Sequence, residues 1–225
     1  MKKFEIVVLL LAALTAIISI VYIKPNETLD SVKFKNEYES LNGKYYENTK
    51  NNYLDVKIDE DNQIKYASIE EIENILEKGT GIIYFGFPEC PWCRNAVPVL
   101  LEAAKDMDID VIYYYNAYSI RDKKTLIDGE IIIEEEGTED YKKLVELMYD
   151  FLPVYSGLED ESIKRLYFPT VVFVKEGKII GLHTSTVDSQ ENPFIELNKE
   201  QKEELKTIYT DYINEVYEIL CDEAC

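Results

Sequence analysis

Residues 82–98 read Ile82-Ile83-Tyr84-Phe85-Gly86-Phe87-Pro88-Glu89-Cys90-Pro91-Trp92-Cys93-Arg94-Asn95-Ala96-Val97-Pro98, and the order of these residues decides the fold. Residues 82–87 form a short, continuous apolar run of the kind found in a central, doubly covered strand. Two cysteines follow at the head of a helical stretch that extends to about Asp106. Thiols separated by two residues can open and close a disulfide within one helical turn, while the free amides of that turn stabilise the leading sulfur as thiolate. A Cys-x-x-Cys pair alone could equally be half a zinc site, so its surroundings must decide between the two.

Working outward, Ser68 and Glu71 have the spacing of a capping box, and Ile69, Ile72, Ile75 and Leu76 supply a helical apolar stripe that stops at Gly79. After the cysteines, Val111 to Tyr115 read as another strand, so strand, helix and strand imply a parallel crossover. Residues 121–164 interrupt this rhythm with an Ile131-Ile132-Ile133 run, an acidic turn and a helix expected from Glu139 to Phe151. Thr170 to Val174 and Lys178 to Leu182 flank Glu176-Gly177 as a β-hairpin. A last helix starts near Asn198, capped with Gln201, and carries Leu205, Tyr209, Tyr212, Val216 and Leu220 on one face. Between Pro25 and about Ala67 the chain is mixed. Ser31 to Tyr46 could hold a short helix, and Tyr53 to Ile58 alternates as a strand would.

The 225 residues suffice for one domain with a real core plus an appendage. Lys+Arg total 24 against 44 Asp+Glu, a formal net charge of −20, which repels nucleic acid and anionic lipid. Lys2 and Lys3 precede an apolar run from Ile6 to Ile23 broken only by Thr15 and Ser19. As a helix this run reaches roughly 27 Å, close to a hydrocarbon core. No clear cleavage site follows it, so an uncleaved signal anchor is expected over a cleaved secretory peptide. The leading lysines would keep that end in the cytoplasm and send the rest outside, where disulfides persist. The expected division is a signal anchor at 1–24, a spacer or accessory segment at 25–66, and the main domain at 67–225 with an insertion at 121–164.

Three features together resemble the thioredoxin superfamily over about residues 67–220. They are Cys90-Pro91-Trp92-Cys93 at a strand-to-helix junction, Pro98 five residues beyond Cys93, and Phe168-Pro169-Thr170 leading into Val171-Val172-Phe173-Val174-Lys175-Glu176-Gly177. More narrowly, the chain resembles membrane-tethered extracytoplasmic thioredoxin-like proteins of Gram-positive bacteria, some called bacteriocin transport accessory proteins. The resemblance implies an α/β thioredoxin-like fold, a central mixed sheet flanked by helices, with the insertion placed before the cis-Pro strand. It implies thiol–disulfide exchange with protein substrates and needs neither an organic cofactor nor a metal. It also implies a cis Pro169 that exposes the Phe168 backbone to an extended substrate beside Cys90, with Pro91, Trp92 and Thr170 lining the same contact. One departure stands out. Thioredoxins commonly bury a carboxylate six residues before the first cysteine; Tyr84 occupies that position here, so proton transfer must use water or another group.

The chemistry follows from the residues as well. Cys90 at an N-cap, with Pro91 at the first helical position, could have its pKa lowered from ~8.5 into roughly 3.5–7.5. Cys90 would then attack and Cys93, one turn deeper, would resolve. Glu89 should raise that pKa and Arg94 lower it, with no dominant sign. Each residue also has a plainer alternative: Pro169 as a trans proline opening a strand, Trp92 as a partly buried ring, Pro98 as a helix kink. Cys221 and Cys225 form a second pair, either a redox relay or a local structural bridge. On a regular helix they lie about 6 Å apart along the axis, so closure requires a frayed last turn. A four-cysteine zinc site would need the two pairs to meet. His183, the sole histidine, is expected as a surface or strand residue. Two rivals remain: a non-enzymatic module binding exported peptides at Phe168–Pro169, and a Cu(I)-handling domain lacking an evident His or Met ligand. The direction of electron flow and the membrane partner stay open.

Overall fold

The computed structural model describes residues 29–46 and 49–218. Five strands make one mixed sheet: β1 (Ile64–Tyr66), β2 (Gly81–Phe85), β3 (Ile112–Tyr115), β6 (Thr170–Lys175) and β7 (Lys178–Thr184), in spatial order β1-β3-β2-β6-β7. β3 runs parallel to both β1 and β2, while β6 is antiparallel to β2 and β7 to β6. β2 lies at the centre, and Ile82, Ile83, Tyr84 and Phe85 are fully buried. That burial is why its sequence is apolar throughout rather than alternating.

The helices are α1 (Asp30–Glu39), α2 (Ile69–Lys78), α3 (Pro91–Asp106), α4 (Glu139–Leu147) and α5 (Lys199–Tyr217). The Ser68–Glu71 capping box starts α2 and the Asn198–Gln201 box starts α5, each satisfying amides that a helix start leaves orphaned. α5 buries Leu205, Tyr209, Ile213 and Val216, with Tyr212 partly covered. Leu220 lies outside the described residues. The hairpin between β6 and β7 turns at Glu176 and Gly177 with φ of 51° and 74°. Gly177 meets a second constraint there, since a Cβ would come within 2.3 Å of the Glu77 carbonyl oxygen.

Two expectations differ from the structure. Tyr53 to Ile58 buries Tyr53, Val56 and Ile58, with Asp55 and Lys57 exposed, and is not a strand. Its backbone groups are taken by side chains instead of a ladder: Asn42 pairs with both the amide and the carbonyl of Val56, Glu39 accepts from the Ile58 amide, and Lys35 donates to the Ile58 carbonyl. The edge strand is β1, a few residues later. The helix expected to reach Phe151 ends at Leu147, and the Ile131–Ile133 run belongs to a separate hairpin of β4 (Lys123–Ile127) and β5 (Glu130–Glu135). Phe34 and Tyr38 of α1 are fully buried against the main core. Among the described residues no helix is long and apolar enough to cross a membrane; the Ile6–Ile23 run lies outside them.

Candidate active site

α3 begins at Pro91, shortly after the central strand β2 ends at Phe85. Cys90 is its N-cap, in extended conformation, and the Cys90 sulfur accepts the Cys93 amide at 3.3 Å. Pro91 fills the first helical position, where no amide is needed. The same sulfur lies 3.5 Å from the carbonyl oxygen of Phe168, whose peptide bond to Pro169 is cis. Residues 78 apart in sequence thus meet at one atom. The Phe168 amide makes no hydrogen bond among the described residues. Thr170 is turned inward, bonding the Tyr167 carbonyl and the Thr184 hydroxyl. Trp92 is half-buried against the core, so its ring is partly packed and partly open. Pro98 sits inside α3, which continues past it.

Both thiols are free and buried, yet their environments oppose each other. Burial pushes the Cys90 thiol up. Hydrogen bonds from the Cys93 side chain, from the Cys93 and Trp92 amides, and the charge of Arg121 outweigh it, leaving Cys90 below an ordinary thiol. Burial also pushes Cys93 up, and there the Cys90 sulfur adds to it, holding Cys93 well above the usual range. The Phe87 backbone and the Tyr84 hydroxyl act the other way on Cys93 but are weaker.

Behind Cys93 lies an aromatic wall. Tyr84 and Tyr38 hydroxyls share a buried 2.7 Å hydrogen bond, the Tyr84 ring stacks on Tyr114, and Phe34 sits edge-on to both. A Cβ on Gly86 would fall 2.1 Å from the Tyr84 hydroxyl, so only glycine leaves that hydroxyl its place. Burial drives the pKa of both tyrosines far upward. Tyr84 therefore stays protonated: it can donate to a Cys93 thiolate but cannot carry its proton away. Sequence reasoning marked Tyr84 as a departure and missed Tyr38, whose only sequence signal is a place on the apolar face of a short helix.

Arg94 is not among the leading influences on Cys90. Its fully buried guanidinium turns to the other side, with Nε to the Leu54 carbonyl at 2.6 Å, Nη1 to the Tyr38 and Pro88 carbonyls at 2.8 and 3.2 Å, and Nη2 to Asn42 Oδ1 at 2.6 Å. Next to it, Asn95 donates to the Pro193 carbonyl and accepts from the Leu197 amide. The two residues after Cys93 thereby lock the active-site helix to α1 and to the loop before α5. The cation that does act on Cys90 is Arg121, 31 positions downstream. It lies over the Phe168 and Tyr118 rings, in an aromatic cluster with Phe87.

Among the described residues no cluster of three His, Cys, Asp or Glu side chains could hold a metal. His183 is occupied by the Thr186 carbonyl and the edge of Tyr209. Cys221 and Cys225 lie outside the described residues.

No protein-family model matches the chain, and no curated protein does. Among solved structures, a thioredoxin from Aeropyrum pernix is similar at 18% identity and a TM-score of 0.34, covering 68% of this chain and 86% of that one. A superposition this distant carries no chemistry across. The mixed five-stranded sheet flanked by helices, with a Cys-x-x-Cys turn capping a helix beside a cis proline, fits a thioredoxin-like fold.

Proposed function

We propose that this protein is a thiol–disulfide oxidoreductase acting on protein substrates, with Cys90 as the attacking thiol and Cys93 as the resolving one. The observation that carries this is the seat of the Cys90 sulfur: it accepts a helix-start amide at 3.3 Å and faces the Phe168 carbonyl at 3.5 Å. A nucleophile held there is met by an extended substrate chain that pairs with the unpartnered Phe168 amide.

The Cys90 thiolate attacks one sulfur of a substrate disulfide. That S–S bond breaks, its electron pair leaves on the second substrate sulfur, and a mixed disulfide forms. Two of the influences holding Cys93 protonated come from the Cys90 sulfur, and both end once that sulfur is bonded to substrate. Burial remains, partly offset by the Tyr84 hydroxyl. Cys93 then loses its proton to solvent or the departing thiolate, attacks Cys90, and releases the reduced substrate. The same steps in reverse oxidise a dithiol. The apolar run at residues 6–23 supports a membrane-tethered setting with the site outside the cytoplasm, where such substrates occur.

Turnover of insulin disulfides with dithiothreitol as reductant tests the proposal. Wild type should turn over and Cys90→Ser should not. Equal rates for the two would leave the chain a peptide-binding module.

A further inference from the structure

The chain contains three arginines, Arg94, Arg121 and Arg165; Arg94 follows Cys93 directly, Arg121 acts on Cys90, and Arg165 neighbours Arg121. Arg94 is consumed by four carbonyl or amide oxygens. The other two are not. Every ion pair within 4.0 Å among the described residues is made by a lysine and none by an arginine. Asp122, the nearest acid in sequence to Arg121, is held by Lys124 at 2.7 Å. Arg165 donates one Nη2 bond to the Asp122 backbone carbonyl, and its buried Nε has no partner. The two guanidinium groups are neighbours: Arg165 bonds the carbonyl of the residue after Arg121, and the two lie by the rings of the adjacent residues Tyr167 and Phe168, so their charges oppose each other. The Asp122 carboxylate nearby is turned to Lys124 and leaves its buried Oδ1 without a partner, so in a chain with 44 acidic residues against 24 basic ones neither guanidinium has a carboxylate within 4.0 Å among the described residues.

The aromatic rings explain how the pair is held. Arg121 lies 5.0 Å from the Phe168 ring centroid and 5.4 Å from that of Tyr118, and Arg165 lies 4.1 Å from Tyr155 and 5.5 Å from Tyr167. Rings that hold a guanidinium by its face leave its N–H edges for an in-plane acceptor, and a carboxylate matches that fork. Phe168 links the pair to the chemistry, because its ring carries Arg121 while its carbonyl faces the Cys90 sulfur.

We propose that Arg121 and Arg165 form a subsite for a carboxylate of the substrate, so that the protein selects cysteines flanked by acidic residues. This rests on the exchange chemistry proposed for Cys90. The selection opposes the overall field: a net charge of −20 repels acidic peptides at long range, and only a local cation pair, one member lying over the Phe168 ring, reverses that preference.

The test uses the reduced full chain and three short cystine-bridged peptides that differ only in the residues flanking the cysteines: Asp, Asn or Lys. Rates of exchange are read from the fluorescence of Trp92, the sole tryptophan, or by chromatography. The Asp peptide should react about tenfold faster than the Lys peptide, the size of one charge-assisted hydrogen bond, and added salt should erode the ratio. Arg121→Gln and Arg165→Gln should each bring the ratio towards one. Arg121 also acts on the Cys90 thiolate, but that effect scales all three rates together and cancels in the ratio. A wild-type ratio at or below one overturns the subsite while the exchange chemistry stands, and so does a ratio that neither variant moves. A protein inert to all three peptides overturns the exchange chemistry and the subsite with it.

Discussion

The front and the back of the Cys-x-x-Cys turn are built from the same helix, three residues apart, and they do opposite things to a thiol. In front, Cys90 faces amides, the Phe168 carbonyl and the cation Arg121. Behind, Cys93 faces a buried wall of Tyr84, Tyr38 and Tyr114 whose hydroxyls are protonated and cannot take its proton. Spacing supplies two thiols that can bond; surroundings decide that one is a nucleophile and the other waits. The difference also shows when each acts, since the back thiol is released by what happens to the front one.

The largest expected effect comes from cutting that sequence in two. Cys93→Ser keeps the front sulfur and removes the resolver, so multiple turnover should fall by about a hundredfold or more and the protein should accumulate as a substrate adduct visible in non-reducing mass spectrometry. Failure to trap any adduct while turnover is lost would mean that Cys90 is not the attacking group. Next in size is Arg94→Met, which strips four oxygens of their donor and frees α1 from the active-site helix. Loss of at least about 3 kcal/mol in urea unfolding is expected, and Arg94→Lys should recover little because an ammonium cannot reproduce the fork. A loss under about 1 kcal/mol would show that the N-terminal segment is held by its apolar contacts alone.

Those two predictions also mark where the sequence was legible. Cys90, Pro91, Cys93, both capping boxes and the Glu176–Gly177 hairpin are local devices, each complete within four or five residues, and the structure has them where the pattern puts them. Arg94 and Arg121 carry no local signal, and Tyr38 carries only its place on the apolar face of α1. Arg94 looked like a neighbour of Cys90 because it follows within one turn, yet helix geometry turns its side chain towards Leu54 and Asn42. Tyr53 to Ile58 shows why periodicity misleads here: the alternation of Leu54, Val56 and Ile58 is silent on whether backbone groups find a strand or, as here, side chains, and Tyr53 is buried out of step with it.

The back wall offers a smaller effect with a distinctive sign. Tyr38→Phe leaves the Tyr84 hydroxyl without its buried partner, and Tyr84→Phe does the same to Tyr38; each should cost about 1–3 kcal/mol. Removing both hydroxyls leaves neither orphaned, so the double variant should cost less than the sum of the singles. Strict additivity would mean that the 2.7 Å contact contributes nothing. Tyr84→Phe should also lengthen the lifetime of the substrate adduct, because the hydroxyl no longer favours the Cys93 thiolate, whereas Tyr38→Phe should lengthen it less.

The smallest effect tests the front. Arg121 is the weakest of the named influences on Cys90 and is only half-buried, so Arg121→Gln should shift the Cys90 titration towards an ordinary thiol without abolishing it. The sign extends to stability of the reduced protein. A thiol whose pKa is lowered by folding stabilises the fold fully above the pKa of an unfolded thiol, ~8.5, and loses that contribution as pH falls through its folded value. In Arg121→Gln the folded value rises, the window narrows, and the reduced protein should lose a little stability at neutral and alkaline pH and none at low pH. The rate of alkylation by iodoacetamide, a neutral reagent indifferent to local charge, read against pH gives the titration directly. An unmoved midpoint would leave the Cys93 thiol and the helix-start amides as the whole source of the front thiolate, and Arg121 as a group that meets only the substrate.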